Sequence, residues 1–499
     1  MRRLHWYGGL QPFELSGTYG GEVCYKGNIS INVRQLAKER LLLVCSVLCV
    51  VLWSGVWSGS GETKKEGSIK SVVIIGGGFA GLAVARALGE SSVAVTLIDR
   101  CNHHVFQPLL YQVATASLSP GDISAPIRSI LRDQKNCQVV LGKVSDIDVS
   151  KKQVAFTHGV LSYDYLVLAT GVTHSYFGND GWTQFAPGLK TVEDALELRR
   201  RILLAFESAE LNSNSSARSK ALTFAIVGAG PTGVELAGAI KEIAGNTIPN
   251  DYRNIDTRTT RVILFEGSDR VLPTFSTELS QRAKRDLEEM GVEVRLESIV
   301  TEIDDSGVLV GDERILARNV FWAAGVKAPS ISQCLGVPLD GVGRVLVRDD
   351  LTIPDHSEVF VVGDLAAIRM AGSEEFVPGV AQAAIQMGRY AGEAIAQEIE
   401  KGEERREQVP FVYHDKGSMA VIGKSKAVVQ LGRWKFGGFI AWLLWAVVHI
   451  FFLIGFKNRL IVTINWFWSW LLNARDVRLI VGDAAAEVGT KREASSEDN

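Results

Sequence analysis

Two short glycine turns have the residue types and spacing that bind a dinucleotide. Residues 76–81 (GGGFAG) follow an apolar run at 72–75, and residues 228–233 (GAGPTG) follow another at 225–227. In such a turn the first glycine permits the bend, the second lets backbone approach a pyrophosphate, and the third lets helix and strand pack closely. The following helix points its free N–H groups at the phosphates. Each turn therefore predicts a bound dinucleotide.

An acidic residue ends the strand predicted after each turn. Residues 93–98 lead to Asp99, and residues 262–265 lead to Glu266. A carboxylate at this place, about 20 residues beyond the first turn, can accept hydrogen bonds from ribose hydroxyls. A lone glycine turn is weak support for binding, but two complete fingerprints predict two dinucleotides. A 2′-phosphate beside Glu266 would meet like charge, so NADH is expected to be preferred over NADPH.

Further candidate residues follow a buried strand predicted to return to the first sheet. This strand, residues 359–364, ends in Asp364, whose carboxylate can hold the polyol chain of a flavin or act as a helix N-cap. Residues 377–386 then open a helix of small residues, whose N-terminal charge suits a reduced flavin ring. Gln382 and Gln386 share one helix face, where they can bond the carbonyl oxygens of a ring-shaped substrate or face solvent.

Two small-residue turns and a histidine segment complete the predicted cofactor surroundings. The turns are residues 169–171 and 323–325, which let a sheet approach a cofactor closely. Residues 100–112 include His103 and His104, but no carboxylate completes a metal set, so this segment is predicted to line the first cofactor. We expect no metal.

The elements that position these residues indicate an α/β fold. Its 499 residues accommodate two to four domains, here two Rossmann-like dinucleotide-binding domains with the second inserted into the first. A helix predicted at 192–209 and a polar linker at 211–216 separate the two. The predicted divisions are an N-terminal extension (1–68), the first domain in two parts (69–215 and 326–410), the second domain (221–325), a C-terminal membrane-associating helical region (411–483) and a disordered tail (484–499).

The C-terminal region is apolar and rich in tryptophan. Residues 437–456 contain no Asp, Glu, Lys or Arg and are long enough to cross a bilayer, whereas the apolar residues 460–472 are too short. Tryptophans cluster where hydrocarbon meets headgroups. A helix pair lying in the membrane interface is favoured, and a single span or a buried dimer interface are the alternatives. Basic residues flank the run on both sides and give no orientation.

The N-terminal extension contains a second apolar run. Residues 41–57 are uncharged and can be a membrane anchor, a signal-peptide core or the product of a start codon assigned too far upstream. The six cysteines form no C-x-x-C pair, which favours a reduced, cytosolic environment. Lys and Arg total 53 against 56 for Asp and Glu, so the charge balance gives no reason to expect nucleic acid.

Taken together, these residues resemble the type II NADH:quinone oxidoreductases, the single-subunit, non-pumping NADH dehydrogenases. The resemblance spans residues 71–483. It rests on residues 99–100, 103–104, 107–111, 169–171, 228–235, 266, 363–364 and 381–386, while 416–420 and 442–458 resemble the bacterial branch. The first 68 residues depart from the family's usual compact start.

The resemblance implies a cofactor, two substrates and their residues. FAD would bind non-covalently at the first fingerprint, NADH as substrate at the second, and a membrane quinone would meet the flavin near Gln382 and Gln386. The implied FAD residues are Gly76, Gly78, Phe79, Ala80, Gly81, Asp99, Arg100, Thr170, Gly171, Asp364, Ala381 and Gln382. The implied NADH residues are Gly228, Gly230, Gly233, Glu235, Glu266 and Gly325.

The resemblance also implies how the reaction proceeds. Hydride would pass from NADH to FAD and two electrons from FAD to quinone, in a respiratory chain and without moving charge across the membrane. Catalytic roles are expected for Glu235, Gln382, Gln386 and Lys416, with Glu235 near the nicotinamide and Glu235 or Lys416 protonating the quinol. A homodimer bound to the bilayer through residues 437–472, at the cytoplasmic face of the cell membrane, is expected.

Three other classes compete with this interpretation. A flavin disulfide reductase or sulfide:quinone oxidoreductase needs a cysteine pair near the flavin, and Cys101 is the only nearby cysteine in the sequence after the first turn. A ferredoxin-linked reductase would leave the tryptophan-rich C-terminal region unexplained. A membrane-tethered flavoprotein without turnover is the non-enzymatic alternative.

Overall fold

The structure is a computed structural model that describes residues 69–401, 409–472, 475 and 477–480. The extension 1–68, with the apolar run 41–57, and the tail 484–499 lie outside the described residues.

The first large sheet has six strands and is built from two separate parts of the chain. Its order is Thr352–Ile353, His356–Val361, Tyr165–Leu168, Lys70–Ile75, Val93–Asp99 and Cys137–Leu141. The strand His356–Val361 pairs in parallel with Tyr165–Leu168, so the chain returns to this sheet as predicted. The inner strands are apolar runs because helices or smaller sheets cover both faces of a parallel sheet.

The second large sheet lies between those two parts in sequence. Its four parallel strands are ordered Val292–Arg295, Arg261–Phe265, Thr223–Val227 and Asn319–Trp322. Two Rossmann-like sheets, the second inserted into the first, are therefore confirmed. Two-stranded sheets join His103–Val105 to Ser124–Pro126, Thr173–His174 to Val326–Lys327, and Val345–Leu346 to Ala366–Ala367. One three-stranded sheet consists of Val144–Asp148, Gln153–Phe156 and Gly159–Ser162. Another consists of Val300–Ile303, Gly307–Val310 and Glu313–Leu316.

Helices cover these sheets. The α-helices before the C-terminal region are Phe79–Ala87, Leu110–Ala114, Pro120–Ile123, Ile127–Ile130, Val192–Leu211, Ser215–Ala221, Pro231–Glu242, Thr277–Glu289 and Ala381–Lys401, and a π-helix spans Ile243–Thr247. The helix predicted to open within 377–386 begins at Ala381. It packs tightly on the first fingerprint helix, since a Cβ at Gly388 would lie 2.2 Å from the Ala80 carbonyl oxygen.

The polar linker predicted at 211–216 is wrong in extent. The preceding helix continues to Leu211, and a new helix begins at Ser215. Asn214 caps this helix by accepting hydrogen bonds from the backbone N–H groups of Ser216 and Ala217 at 2.9 and 3.1 Å. The Asn and Ser residues that suggested a loop therefore start a helix.

The C-terminal region begins with a sheet that the sequence analysis did not predict. Strands Ser418–Gly423, Lys426–Leu431 and Trp434–Gly437 form an antiparallel sheet. It packs directly on the second fingerprint helix, because a Cβ at Gly238 would lie 1.7 Å from the Ile422 carbonyl oxygen. This close approach brings Val421 beside Glu235 of that helix.

Two helices, Phe439–Phe452 and Phe456–Leu472, follow this sheet and are called the helix pair below. The apolar run 437–456 is thus divided at residues 453–455, where Gly455 has φ +91°. A helix pair is confirmed in place of one continuous helix, while its position in a membrane interface stays a prediction. Within the described residues, every helix falls short of the length or apolar character needed to cross a bilayer.

Candidate functional site

A large cavity of about 790 Å³ lies where the two fingerprints and the helix at Ala381 meet. This volume is in the range of small-molecule and cofactor sites. It brings together many of the residues singled out in the sequence: Gly76, Gly78, Phe79, Ala80, Asp99, Arg100, Thr170, Gly171, Glu235, Asp364 and Ala381. Their convergence identifies this cavity as the candidate site.

The first fingerprint is folded around its glycines. Gly76 has φ +105°, and a Cβ there would lie 2.4 Å from the Ala169 carbonyl oxygen. A Cβ at Gly81 would lie 1.8 Å from the Gly76 carbonyl oxygen, so helix and strand meet without side chains between them. Gly78 has no atom within 4 Å of a Cβ position and opens towards the cavity. The empty space at Gly78 is where backbone can meet a pyrophosphate.

The second fingerprint repeats this arrangement. A Cβ at Gly233 would lie 1.9 Å from the Gly228 carbonyl oxygen, and Gly230 again faces open space. The start of its helix, at Pro231 and Thr232, lines the large cavity. The N-terminal N–H groups of this helix are thus directed at the same site.

Each strand-ending acid holds the turn of its own fingerprint. Asp99 Oδ2 accepts the Gly77 N–H at 2.5 Å, and Glu266 Oε2 accepts the Ala229 N–H at 2.7 Å. Glu266 Oε1 also accepts the Ser268 N–H at 3.0 Å. Both carboxylates are therefore fixed beside the glycine turn, where a ribose next to the pyrophosphate would lie.

Asp364 lies in a short 3₁₀ helix, Gly363–Leu365, and lines the large cavity. Its carboxylate makes no hydrogen bond with the residues that the structure describes, so the helix N-cap alternative is not observed. Burial raises the pKa of this carboxyl above its usual value. Asp364 therefore presents unused hydrogen-bonding capacity to the cavity.

Two more polar atoms at the cavity have no partner among the described residues. Thr170 Oγ1 and His104 Nε2 are both buried and unpaired. His104 contacts the Gly77 carbonyl oxygen through Nδ1 at 3.1 Å, and burial lowers its pKa to about 4. The ring is therefore neutral, with Nδ1 donating and Nε2 left as an acceptor. Unpaired buried polar atoms usually have a ligand or water partner, so these residues fit a polar cofactor.

Glu235 lies at the end of the large cavity nearest the C-terminal sheet. Its side chain is 9% exposed, and its one hydrogen bond among the described residues is a long one of 3.5 Å from the Val421 N–H. Burial raises the pKa of this carboxyl well above its usual value. The raised pKa favours the protonated form of Glu235, which can donate its proton. Tyr111, Met419 and His449 line the cavity alongside it.

Gln382 and Gln386 bond the backbone of residues 414–417. Gln382 Nε2 donates to the Gly417 carbonyl oxygen at 2.9 Å, and its Oε1 accepts the Lys416 N–H at 3.0 Å. Gln386 forms the same pair of bonds with His414, at 2.9 and 3.0 Å. Both amides thus hold the chain segment that leads into the C-terminal sheet, rather than simply facing solvent. Lys416 is exposed and does not line the large cavity.

Gly325 also lies outside the lining of the large cavity. It has φ +74°, and a Cβ there would lie 2.5 Å from Cζ of Phe177. In this structure Gly325 therefore makes room for the Phe177 ring.

Two parts of the lining were missed in the sequence analysis. Lys190, Thr191 and Glu193 line the cavity at the start of a helix, and the Thr191–Asp194 capping box is a signal that could have placed this helix end. His449 comes from the helix pair and was noted only as an interruption of an apolar run. Its Nδ1 contacts the Trp445 carbonyl oxygen at 2.8 Å, and burial lowers its pKa to about 4.

No group of three or more His, Cys, Asp or Glu side chains within the described ranges is arranged to hold a metal ion.

Comparison with known proteins identifies two matching families. Residues 70–388 match the family described as pyridine nucleotide-disulphide oxidoreductase, and residues 415–476 match the family described as NDH2 C-terminal domain. The C-terminal sheet and the helix pair thus belong to a region that is itself a recognised family.

Curated relatives cover most of the chain. Type II NADH:quinone oxidoreductase Ndh of Mycobacterium tuberculosis is 45% identical over 439 residues, which is 85% of this chain and 93% of that protein. NdhA of the same organism is 45% identical over 431 residues, 83% of this chain and 90% of that protein. Type II NADH:quinone oxidoreductase of Staphylococcus haemolyticus is 31% identical, covering 73% of this chain and 90% of that protein.

Solved structures share the fold at lower identity. The structure of NDH2 from Plasmodium falciparum in complex with NADH matches with a TM-score of 0.74 and 19% identity, covering 83% of this chain and 100% of that one. The sulfide:quinone oxidoreductase of Aquifex aeolicus matches with a TM-score of 0.63 and 21% identity, covering 78% of this chain and 92% of that one.

Proposed function

The chain belongs to the type II NADH:quinone oxidoreductase family, and from that premise we propose how its residues divide the work of oxidising NADH and reducing a quinone. Overall, NADH gives up a hydride, the quinone takes up two electrons and two protons, and one of those protons comes from water.

We propose that the large cavity holds FAD non-covalently. The open space at Gly78, the carboxylate of Asp99 and the unpaired Asp364, Thr170 and His104 support this assignment, because together they offer partners for a pyrophosphate, a ribose and a polyol chain. When bound, the flavin accepts the hydride of NADH and passes two electrons on to the quinone. The protein binds and orients the cofactor and the substrates and polarises the reacting groups.

NADH is assigned to the second fingerprint. The helix that begins at Pro231 supplies N–H groups for the pyrophosphate, and Glu266 supplies an acceptor for the adenosine ribose. Glu235, one helical turn further along, lies at the cavity beside the place proposed for the nicotinamide. Gly228, Gly230 and Gly233 supply the close approach that this binding requires.

The quinone is proposed to meet the flavin near the helix that begins at Ala381. Gln382 and Gln386 support this by holding residues 414–417 against the helix. The Gln386 amide nitrogen has a second hydrogen to offer a ring carbonyl, whereas that of Gln382 donates to Asp415 Oδ1 at 3.4 Å. Glu235 and Lys416 are the proposed proton donors to the quinol. Glu235 is the better supported of the two, because it is buried, has a raised pKa and lines the cavity.

We propose that the helix pair rests on a lipid bilayer, which would bring a quinone dissolved in lipid close to the cavity. Large apolar side chains are exposed on both of its helices, among them Ile440, Phe451, Ile464 and Trp468. Exposed apolar surface beside basic residues such as Lys457 is typical of helices that lie in a membrane interface. The homodimer and the cytoplasmic face of the cell membrane are proposals that rest on the family resemblance.

The observation that carries the proposed function is one cavity lined by both fingerprints and by the C-terminal region. The test is turnover of the purified full chain with NADH and a water-soluble quinone. Rapid NADH oxidation that depends on the quinone is expected. Slow reduction of bound flavin that is indifferent to quinone would instead identify a cofactor-binding module without turnover.

A further inference from the structure

A second, smaller cavity of about 110 Å³ lies between the helix pair and the second fingerprint helix. Four tryptophans wall it: Trp442, Trp445, Trp466 and Trp470. Tyr111 and Glu235 line both this cavity and the large one, so the two spaces meet at these two side chains. We call this place the cavity junction. Both side chains are buried, with Tyr111 5% exposed.

A chain of two hydrogen bonds leads from the helix pair to the cavity junction. Trp466 Nε1 donates to Gln112 Oε1 at 2.6 Å, and Gln112 Nε2 donates to the Tyr111 hydroxyl oxygen at 2.9 Å. An indole N–H can only donate, so it fixes the orientation of the Gln112 amide with its oxygen towards Trp466. The amide nitrogen must then face Tyr111. The Tyr111 oxygen is therefore an acceptor in this chain.

The direction of this chain determines where the Tyr111 hydrogen can go. Because Gln112 Nε2 already donates to it, the hydroxyl cannot donate back, and its own hydrogen is left for another acceptor. Among the described residues, Tyr111 makes no hydrogen bond in which its hydroxyl is the donor. A second buried donor at the smaller cavity, Trp445 Nε1, is also without a partner among those residues. Both side chains therefore have a hydrogen available for an acceptor at the two cavities.

The chain is held in place by packing of the helix pair. Trp466 packs on Trp445 with ring centroids 5.0 Å apart, and Trp445 stacks on His449 at 4.3 Å. Trp466 belongs to the same helix as the exposed Ile464 and Trp468. The orientation of the Tyr111 hydroxyl thus depends on the position of a helix whose other face is proposed to contact lipid.

We propose that the Tyr111 hydroxyl, oriented by Gln112 and Trp466, donates a hydrogen bond to a carbonyl oxygen of the quinone at the cavity junction. This inference rests on the proposed function, since it needs a quinone as the ligand. A hydrogen bond to this oxygen strengthens as negative charge develops on it during reduction. Tyr111 is then a catalytic residue, and Gln112 and Trp466 are positioning residues that act through it.

The test measures the two halves of the reaction separately, under anaerobic conditions and by flavin absorbance. In Tyr111→Phe, flavin reduction by NADH is expected to keep its wild-type rate, and re-oxidation by a water-soluble quinone to slow about 10- to 100-fold. Trp466→Phe frees the Gln112 amide to turn, so it is expected to slow the same half. The Tyr111→Phe, Trp466→Phe double variant should be no slower than Tyr111→Phe alone, because both substitutions remove the same hydrogen bond to the quinone. Tyr163→Phe, which removes another buried and unpaired hydroxyl, is the matched control.

Gln112→Glu reverses the direction of the hydrogen bond between residue 112 and the Tyr111 hydroxyl. It keeps that hydroxyl and almost the same side-chain shape at position 112. Once ionised, the introduced carboxylate only accepts, so at the alkaline end of a pH series Tyr111 would donate to it and be turned away from the cavity junction. This variant is also expected to slow quinone reduction, and it keeps the test decisive if Tyr111→Phe does not fold.

Unchanged re-oxidation in Tyr111→Phe or Gln112→Glu would overturn the inference. So would an equal slowing of flavin reduction by NADH, since the hydroxyl would then serve the flavin or the fold instead of the quinone. Failure of the proposed function itself has a different signature, because the wild-type flavin would then not be re-oxidised by quinone at all.

Discussion

The Glu266 carboxylate accepts the backbone N–H of Ala229 at 2.7 Å, which fixes a negative charge against the glycine turn of the second fingerprint. Its other oxygen is held by Ser268. The charge therefore cannot swing away when a nucleotide binds. A 2′-phosphate on the adenosine ribose would be repelled there, whereas a 2′-hydroxyl would be accepted.

Glu266→Gln is accordingly expected to relax the preference for NADH over NADPH by about tenfold, which corresponds to about 1.4 kcal/mol. The amide keeps the size of the side chain and removes its charge. The measurement is the ratio of kcat/KM for the two nucleotides. The account of Glu266 is contradicted if the ratio does not move, and Glu90→Gln, a change of an exposed acid, serves as the control.

Substitutions at Gly78 and Gly81 distinguish a loss of flavin binding from a loss of folding stability. A Cβ at Gly78 meets no protein atom but enters the space assigned to the pyrophosphate, so Gly78→Ala is expected to fold and to weaken FAD binding more than tenfold. A Cβ at Gly81 would clash with the Gly76 carbonyl oxygen, so Gly81→Ala is expected to lose both stability and flavin. Flavin absorbance per protein and the thermal midpoint of unfolding report the two effects. Wild-type flavin affinity in a folded Gly78→Ala would refute the assignment.

Burial of Glu235 predicts a pH-dependent stability. Its pKa is raised in the folded protein, so the folded state binds this proton more tightly than the unfolded state does. Wild-type stability should therefore fall as pH rises above the ordinary carboxyl range, while Glu235→Gln, which keeps a neutral side chain, should not share that loss.

The urea midpoint of Glu235→Gln minus that of the wild type should therefore be larger at pH 8 than at pH 5. Urea unfolding at the two pH values, with Glu90→Gln as the exposed control, measures it. An identical difference at both pH values would show that folding does not raise the pKa of Glu235.

The exposed apolar face of the helix pair predicts membrane binding. Ile464 and Trp468 are 53% and 50% exposed, so burial of the exposed halves of both side chains in lipid contributes about 1.5–3 kcal/mol in total. Replacing both with Ser is expected to reduce co-sedimentation with phospholipid vesicles more than tenfold, with the flavin content unchanged. Val160→Ser, a change of an equally exposed residue on another sheet, should have no effect. Equal vesicle binding by all three proteins would place the contact surface elsewhere.

Local sequence patterns were sufficient to predict the two fingerprints. A glycine turn between an apolar strand and a helix is specified by residues next to one another, as at 76–81 and 228–233, and its acid follows one strand later. The return of the strand before Asp364 to the first sheet was also predicted, because apolar runs such as 359–363 become buried parallel strands.

The rest of the site depends on contacts between distant parts of the chain. Nothing near Gln382 in sequence reveals that its amide would bond residues 416 and 417, since the two segments are more than 30 residues apart and meet only in the folded chain. The orientation of the Tyr111 hydroxyl is set, through Gln112, by Trp466, which lies more than 350 residues further along the chain. A period of apolar residues identifies a helix but not the partner of its polar atoms.

The most direct test of the account is the colour and redox response of the purified full chain. The account predicts bound FAD, released intact on denaturation, that bleaches on anaerobic addition of NADH and regains its colour when a quinone is added. A preparation that remains colourless after reconstitution with FAD, or a bound flavin that NADH does not bleach, would contradict it.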